Sequence, residues 1–275
     1  MSNNILDIAK EIRLDIFKMF YVSRTGHLAP ALSCLDILTE LYFDNIIDTE
    51  KMFTANRDRV ILSKGHACAA LYAVLARAGY FSREELLTFY QKNSRLGGHP
   101  SISLPGIETA TGALGHGICF GTGTAKASQL SGNAFYTYVI MGDGESEEGS
   151  VWEAAQFAAN EKLDRLIVIM DRNRLQASTW VDEISSIEPV RDKWQSFGWQ
   201  VFETDGHDYP SLHLTLNEAK KIIGKPSLII ANTVKGRGFS VSENSPVWHS
   251  RAPKGEEWEQ VCREYGITLE ELGKI

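Results

Sequence analysis

Two short polar motifs, each directly after an apolar run, carry the most informative chemistry of this sequence. Gly142-Asp143-Gly144 follows the run 136–141, and Asn173 follows the run 166–170. A strand that ends in Gly-Asp-Gly presents backbone N–H groups and a carboxylate at a sheet edge, where α/β proteins bind phosphate and a hard cation. The interval of 173 − 143 = 30 residues holds one crossover helix, so both strand ends can share one ion. Carboxylate, amide and phosphate oxygens suit Mg²⁺, although Gly-Asp-Gly alone also fits an ordinary turn.

Histidines form a second candidate constellation. Those that lie in loops beside glycine or other small residues are His27, His66, His99 and His249. This placement predicts imidazoles in a cleft that titrate near neutral pH and can exchange protons with the hydroxyls of a sugar. His207 and His213, in contrast, are typical of surface or capping residues.

The segment from Gly142 to Leu175, GDGESEEGSVWEAAQFAANEKLDRLIVIMDRNRL, resembles the thiamin-diphosphate motif of transketolases. SKGHACAALY, GGHP and WHSRAP are similar to transketolase segments as well, and the resemblance covers essentially the whole chain. It implies thiamin diphosphate and Mg²⁺ as cofactors, with Ca²⁺ or Mn²⁺ as substitutes. By the same resemblance, Asp143, Asn173 and the main-chain carbonyl of Leu175 would bind the metal.

The resemblance also implies roles for further residues. The loop from Gly112 to Gly117 would follow the aminopyrimidine ring, with main-chain contacts from Gly112 and Leu114, and His116 stands where transketolases usually have Gln. The four loop histidines match the substrate- and cofactor-contacting set and are the predicted catalytic residues. The predicted cofactor-binding residues are His66, Gly112, Leu114, Gly142, Asp143, Gly144, Glu148, Asn173, Lys235 and His249.

Several other polar residues near these motifs could belong to the site or could have ordinary structural roles. Lys64 and Lys235 flank glycine-containing turns, where a cation could stabilise diphosphate or a developing alkoxide, or they are solvated surface lysines. The acidic cluster, Glu145, Glu147, Glu148 and Glu153, begins a helix, where negative charge suits the helix dipole. In transketolases the residues that match Glu148 and Glu153 lie at the subunit interface. Gln176 is a further candidate near the cofactor pocket.

In transketolases the glutamate that activates the aminopyrimidine ring belongs to a second domain, and we see no stretch of this chain for it. We therefore expect one half of a split transketolase, inactive alone, that joins a separately encoded C-terminal subunit in a heterotetramer. The pair would transfer a two-carbon ketol unit from a ketose, phosphorylated or otherwise modified, to an aldose. Two alternatives are the α subunit of a 2-oxo acid dehydrogenase decarboxylating component and a non-catalytic cofactor-binding subunit.

The bulk composition is ordinary for a soluble globular protein. The chain has 275 residues, 43% of them hydrophobic, and a net charge of −7, which argues against a nucleic-acid footprint. No apolar run approaches the length of a membrane span, and no signal peptide is visible at the N-terminus. The predicted location is therefore cytoplasmic. The four cysteines lack metal-ligand spacing, and Cys68 beside His66 is predicted to be packed in a helix.

The elements that must position these residues alternate between strand and helix. Strands are predicted at 59–62, at the two apolar runs, at 200–203 and at 227–234; helices are predicted at 5–22, 32–42, from the turn at 63–66 to Gly79, 118–129, 212–223 and 256–265. A loop is expected at 23–30, and Ser82 with Glu85 predicts a capping box. Continuous apolar strands between helices predict an α/β fold, a mostly parallel sheet with helices on both faces, in a single domain over 1–275.

Overall fold

A computed structural model describes residues 4–177 and 179–275 of the chain. Its central sheet has five parallel strands in the order β1-β2-β3-β7-β6. These strands are β1 (Arg59–Leu62), β2 (Thr137–Gly142), β3 (Leu166–Arg172), β6 (Gln200–Asp205) and β7 (Ser227–Asn232), and the antiparallel pair β4 (Leu175–Gln176) and β5 (Thr179–Trp180) lies apart from them. The prediction of an α/β fold with a parallel sheet is confirmed.

Helices connect the strands. They are α1 (Ile5–Ser23), α2 (Leu28–Phe43), α3 (Cys68–Arg77), α4 (His116–Ser131), α5 (Gly149–Asn160), α6 (Val181–Ile184), α7 (Val190–Ser196), α8 (Tyr209–Lys220), α9 (Glu256–Tyr265) and α10 (Leu269–Leu272). None of the described helices is long and apolar enough to cross a membrane.

The strands bury side chains on both faces, which explains why they read as continuous apolar runs. Along β2, Tyr138 and Ile140 belong to one core, with α1, α2, α3 and α8. Val139 and Met141 belong to the other core, with α4, α5 and α7. The period of two along each strand divides the apolar residues between these two helical layers.

Two local predictions were wrong. The loop predicted at 23–30 is already helical from Leu28 onward, because Pro30 lies in the first turn of α2, where its missing N–H is not needed. The capping box at Ser82 is absent: Arg83–Thr88 is a 3₁₀ helix without a side-chain cap. The Ser82 hydroxyl donates instead to the carboxylate of Glu84.

The order of the strands determines where the polar motifs meet. Because every strand of the sheet is parallel, the segments that follow β1, β2, β3 and β7 leave from the same edge. The segment after β3 packs into one core and the segment after β7 into the other, and α/β proteins bind ligands at such a switch point. Lys64, Asp143, Asn173 and Lys235 each follow one of these strands within three residues.

Candidate active site

A cavity of about 380 Å³ lies at this edge of the sheet, large enough for a small cofactor. Its lining includes most of the predicted site residues, namely His27, His66, Gly112, Leu114, Gly142, Asp143, Gly144, Glu148, Asn173, Leu175, Gln176, Lys235 and His249. His99 lies beside it, since a Cβ built on Gly112 would be 3.0 Å from the His99 ring. The structure thus brings together every residue predicted for the metal, the cofactor and catalysis.

The two strand-end motifs are hydrogen-bonded to each other. Asp143 is buried, and its carboxylate accepts from the N–H groups of Gly144, at 2.9 Å, and of Arg174. The side-chain oxygen of Asn173 accepts from the N–H of Leu175 at 3.0 Å. Burial, reinforced by the nearby charge of Asp171, raises the pKa of Asp143 to about 6, so this site disfavours an uncompensated negative charge.

Three oxygens of the kind that bind hard cations therefore converge here. They are the carboxylate of Asp143, the side-chain oxygen of Asn173, whose amide nitrogen donates to Ser33 at 3.1 Å, and the carbonyl of Leu175. The carbonyl of Leu175 accepts from the ammonium of Lys235 at 3.0 Å. The ammonium of Lys235 is therefore hydrogen-bonded to one of the three oxygens that are predicted to bind the metal.

The imidazoles of His27, His66 and His249 also line the cavity, and His99 lies beside it. The ring centroid of His27 lies 5.3 Å from those of His66 and His249 and 6.4 Å from that of His99. His27 caps the start of α2, and His66 lies in the 3₁₀ turn after β1. Several donors and acceptors thus face one space, as recognition of a polyhydroxylated ligand requires.

Titration near neutral pH, as the sequence predicts, does not fit His27, His66 and His249, whose pKa values are lowered. Burial, together with the cationic Lys64, lowers the pKa of His66 well below its usual value. Burial and Lys235, whose ammonium is 3.0 Å from Nδ1, lower the pKa of His249 to about 3. Burial also lowers the pKa of His27. These three imidazoles are therefore neutral and can accept as well as donate hydrogen bonds.

Lys64 is neither a surface lysine nor a free cation. Its ammonium is buried against the carboxylate of Asp171 and also donates to the carbonyl of Pro30 at 3.3 Å. Asp171 accepts further hydrogen bonds from the hydroxyls of Ser33, at 2.7 Å, and Thr233. Burial alone would raise the pKa of Asp171, but Lys64 and these hydroxyls outweigh burial and lower it. Sequence reasoning missed Asp171 because it stands within an apolar strand, where a lone carboxylate gives no pattern.

Glu145 lies in the 3₁₀ turn Gly144–Glu147 before α5, as the predicted helix start requires, but it also has a role that the sequence did not predict. Its side chain is buried and accepts from the N–H of Gly115 at 2.9 Å, the N–H of Gly142 at 3.0 Å and the hydroxyl of Ser63. One carboxylate thereby joins the segments that follow β1 and β2 to the loop before α4. The sequence offered no signal for this role, because Glu145 stands in a run of acidic residues whose other members are partly or fully exposed.

His207 was also misjudged as a surface or capping residue. Its Nδ1 lies 2.7 Å from the buried carboxylate of Asp36, and its Nε2 accepts from the N–H of Val234 at 2.8 Å. It therefore holds the segment that carries Lys235. Cys68, as predicted, is buried in α3, where burial raises the pKa of its thiol to about 12.

Comparison with known proteins identifies the family. The family described as "Transketolase, thiamine diphosphate binding domain" matches residues 5–273. The chain belongs to the transketolase family. The resemblance inferred from the motifs is therefore confirmed.

Among the curated relatives of this transketolase chain are short proteins of the same extent. One of them, named as a subunit of the apulose-4-phosphate transketolase of Phocaeicola vulgatus, is 42% identical over 263 residues, which are 95% of this chain and 94% of that protein. The 6-deoxy-6-sulfo-D-fructose transketolase subunit SqwG of a Clostridium species is 41% identical over 241 residues, 87% of this chain and 88% of that one.

Full-length transketolases match over the same region. The transketolase structure from Leishmania mexicana has a TM-score of 0.88 and 32% identity, over 97% of this chain and 42% of that chain. The chain thus spans about two fifths of the length of that solved transketolase. The similarity in fold agrees with the parallel sheet described above.

Proposed function

We propose that this chain is the cofactor-binding subunit of a two-component transketolase, which transfers a two-carbon ketol unit from a ketose to an aldose. The observation that carries the proposal is the convergence of the Gly-Asp-Gly turn, Asn173 and three histidines on one cavity, with His99 beside it, in a chain of the same extent as relatives that are named as transketolase subunits. Because those relatives are named for a phosphorylated and a sulfonated sugar, we infer a donor ketose that carries an anionic group.

The cavity suits thiamin diphosphate and Mg²⁺ in the type of its donors. Oxygens from Asp143, Asn173 and Leu175 are hard ligands, and because burial and Asp171 raise the pKa of Asp143 to about 6, a bound cation would stabilise its carboxylate. The side-chain oxygen of Gln176 is buried without a hydrogen-bond donor among the described residues, and so is one oxygen of Glu147. Gly142 and Gly144 have no side chains, so a diphosphate could approach the backbone closely there. When bound, thiamin diphosphate supplies the electron sink for cleavage of a bond beside a carbonyl.

The remaining chemistry belongs to the side chains. His27, His66, His99 and His249 would hold the hydroxyls of the sugar, and the neutral imidazoles of His27, His66 and His249 can each accept a hydrogen bond from one. Lys235 and the loop at Gly112 and Leu114 would orient the cofactor. The buried surroundings strengthen each of these polar contacts by excluding water.

An exposed surface next to the cavity is consistent with the docking of a second polypeptide, the partner subunit. Phe120 on α4 and Phe157 on α5 are 51% and 47% exposed, respectively, and these two helices pack together. Glu148 and Glu153, also exposed, lie on or beside α5. Exposed aromatic residues with charged neighbours are typical of protein interfaces. We propose that a separately encoded pyrimidine-binding subunit docks here, in a heterotetramer in the cytoplasm.

The test is reconstitution. The purified chain is mixed with the candidate partner, thiamin diphosphate and Mg²⁺, and donor and acceptor sugars are screened for ketol transfer. We expect transfer only when both chains are present. Full transfer by this chain alone, or release of CO₂ from pyruvate by the pair, would contradict the proposal, and the second result would support the 2-oxo acid dehydrogenase alternative.

The metal assignment has a separate test. Asp143→Asn should abolish Mg²⁺-dependent binding of thiamin diphosphate by the reconstituted pair, whereas Asp192→Asn, an exposed acid on α7, should leave it unchanged. Isothermal titration measures both. Unaltered binding by the Asp143 variant would remove this residue from the metal site. It would also mean that cofactor binding, which the non-catalytic alternative requires as well, depends on other residues.

A further inference from the structure

A second cluster of metal-ligand side chains lies between α2 and α8, away from the cavity. Glu40 and Asp44 are four residues apart at the C-terminal end of α2, and His213 is on α8. The Nδ1 atom of His213 lies 2.9 Å from an oxygen of Glu40 and 2.9 Å from an oxygen of Asp44. One donor atom from each residue lies within 4.8 Å of the other two.

Glu40 is the unusual member of this cluster. Its side chain is 0% exposed, and its second oxygen is buried with no hydrogen-bond donor in the described chain. Within residues 4–177 and 179–275, His213 is the only ion-pair partner of Glu40 or Asp44. A buried carboxylate with this little compensation is costly. Burial, and then the adjacent carboxylate of Asp44, raise its pKa to about 8.

We propose that Glu40, Asp44 and His213 bind a zinc ion. Zinc bonds to nitrogen and oxygen are about 2.0–2.2 Å long, which places the ligands of a tetrahedral site about 3.4 Å apart. The observed separations of 2.9 Å therefore need only a slight expansion. An imidazole with two carboxylates suits zinc, whereas Mg²⁺ and Ca²⁺ prefer oxygen ligands alone.

The surroundings leave room for a fourth ligand. Asp44 and His213 are each 39% exposed and line a groove of about 660 Å³, in which Leu6 and Leu214 are apolar neighbours. Water from this groove can complete the coordination. The ion would join α8 to α2, the helix whose first residue follows His27.

The test is metal binding by the full chain in excess Mg²⁺, which saturates the oxygen site at Asp143. Zinc is titrated with a competing chelator, and Co²⁺ is followed by its visible absorption. We expect one equivalent of zinc with micromolar or tighter affinity. His213→Asn and the isosteric Glu40→Gln should each weaken it at least about 10- to 100-fold, as the loss of even an outer-shell partner does. His116→Asn, an exposed histidine on α4 in the opposite helical layer, is the matched control and should bind normally.

Two results would overturn the proposal. Equal zinc binding by wild type, His213→Asn and Glu40→Gln would place the ion elsewhere. Absence of zinc binding by the folded wild-type chain would mean that the cluster is only an ion pair of protonated His213 with the two acids. Far-ultraviolet circular dichroism of each variant separates loss of the site from loss of the fold.

Discussion

Replacement of Asp36 by asparagine should destabilise the chain and loosen the active-site segment that carries Lys235. Asp36, on α2, accepts from Arg13 at 2.6 Å and from the hydroxyl of Tyr209 at 2.8 Å, and its other oxygen is 2.7 Å from Nδ1 of His207. Asparagine keeps one side-chain oxygen, but its NH₂ group takes the place of the other oxygen. That NH₂ group would then face a ring N–H of His207, which is also a donor. Either His207 loses this bond, or it changes tautomer and loses the bond from Val234.

The magnitude follows from these partners. Breaking a buried ion pair costs about 3–5 kcal/mol, because the remaining charge is left uncompensated. The side chain of Arg13 is 13% exposed, so water can relieve part of this cost, whereas the lost bond to His207 adds to it. We expect the free energy of unfolding to fall by about 3 kcal/mol. Urea unfolding measures this change, and Asp48→Asn is the control, because Asp48 is 46% exposed and solvent screens its pair with Lys51.

The pH dependence tests the same reasoning. Burial alone would raise the pKa of Asp36, but the hydrogen bond from His207 and the charge of Arg13 outweigh burial and lower it. A lowered carboxyl pKa contributes stability that is present above the unfolded-state value near pH 4 and is lost as pH falls through the folded-state value. The difference between wild type and Asp36→Asn should therefore shrink below about pH 4. A difference under about 1 kcal/mol at pH 7, or one that is constant with pH, would refute this account of Asp36.

Three further perturbations probe the cavity itself. Gly144→Ala places a Cβ 2.1 Å from the side-chain oxygen of Gln176 and should raise the Kd for thiamin diphosphate about tenfold in a titration of the pair. The control is Gly149→Ala, whose Cβ meets nothing within 4 Å and should leave the Kd unchanged. Equal affinities of the two variants would contradict the steric argument. Lys235→Met removes a cation beside His249 and should raise the pKa of that imidazole from about 3, as NMR titration would show, although burial continues to depress it; an unchanged pKa would exclude the lysine as a cause. Asp171→Asn leaves Lys64 buried without its paired carboxylate and should lower the free energy of unfolding in urea by about 3–5 kcal/mol. The double variant with Lys64→Met should recover part of this loss. If the effects of the two single variants simply add, the two residues do not form a stabilising pair.

The parallel sheet and the main site motifs could be predicted because each rests on a local pattern. The apolar runs before Gly142 and Asn173 gave both the strands and their polar ends. Once these strands were taken as parallel neighbours, their tips had to meet at one edge, as the register of β2 and β3 shows. Histidines in small-residue loops could likewise be assigned to the cavity from their neighbours in the sequence.

The buried carboxylates could not be predicted, because their partners are distant in the sequence. Asp171 is 107 residues from Lys64, and Asp36 is 171 residues from His207. Nothing near either acid reveals a counter-charge. The same holds for the pKa values of His66 and His249, which depend on burial and on lysines that only the fold brings close. Side chains that hold a site in place thus leave a weaker trace in the sequence than those expected to contact the ligand.

The neutral imidazoles have a consequence for how substrate range could change. The imidazole surface that His27, His66 and His249 form carries little charge of its own near pH 7, because their pKa values are lowered. Such a surface recognises hydroxyl groups but has little attraction for the anionic substituent of a sugar. Under the proposed function, selection among anionic groups would then belong to the partner polypeptide. Exchange of that partner by itself could redirect the enzyme to a new sugar while this chain stayed the same.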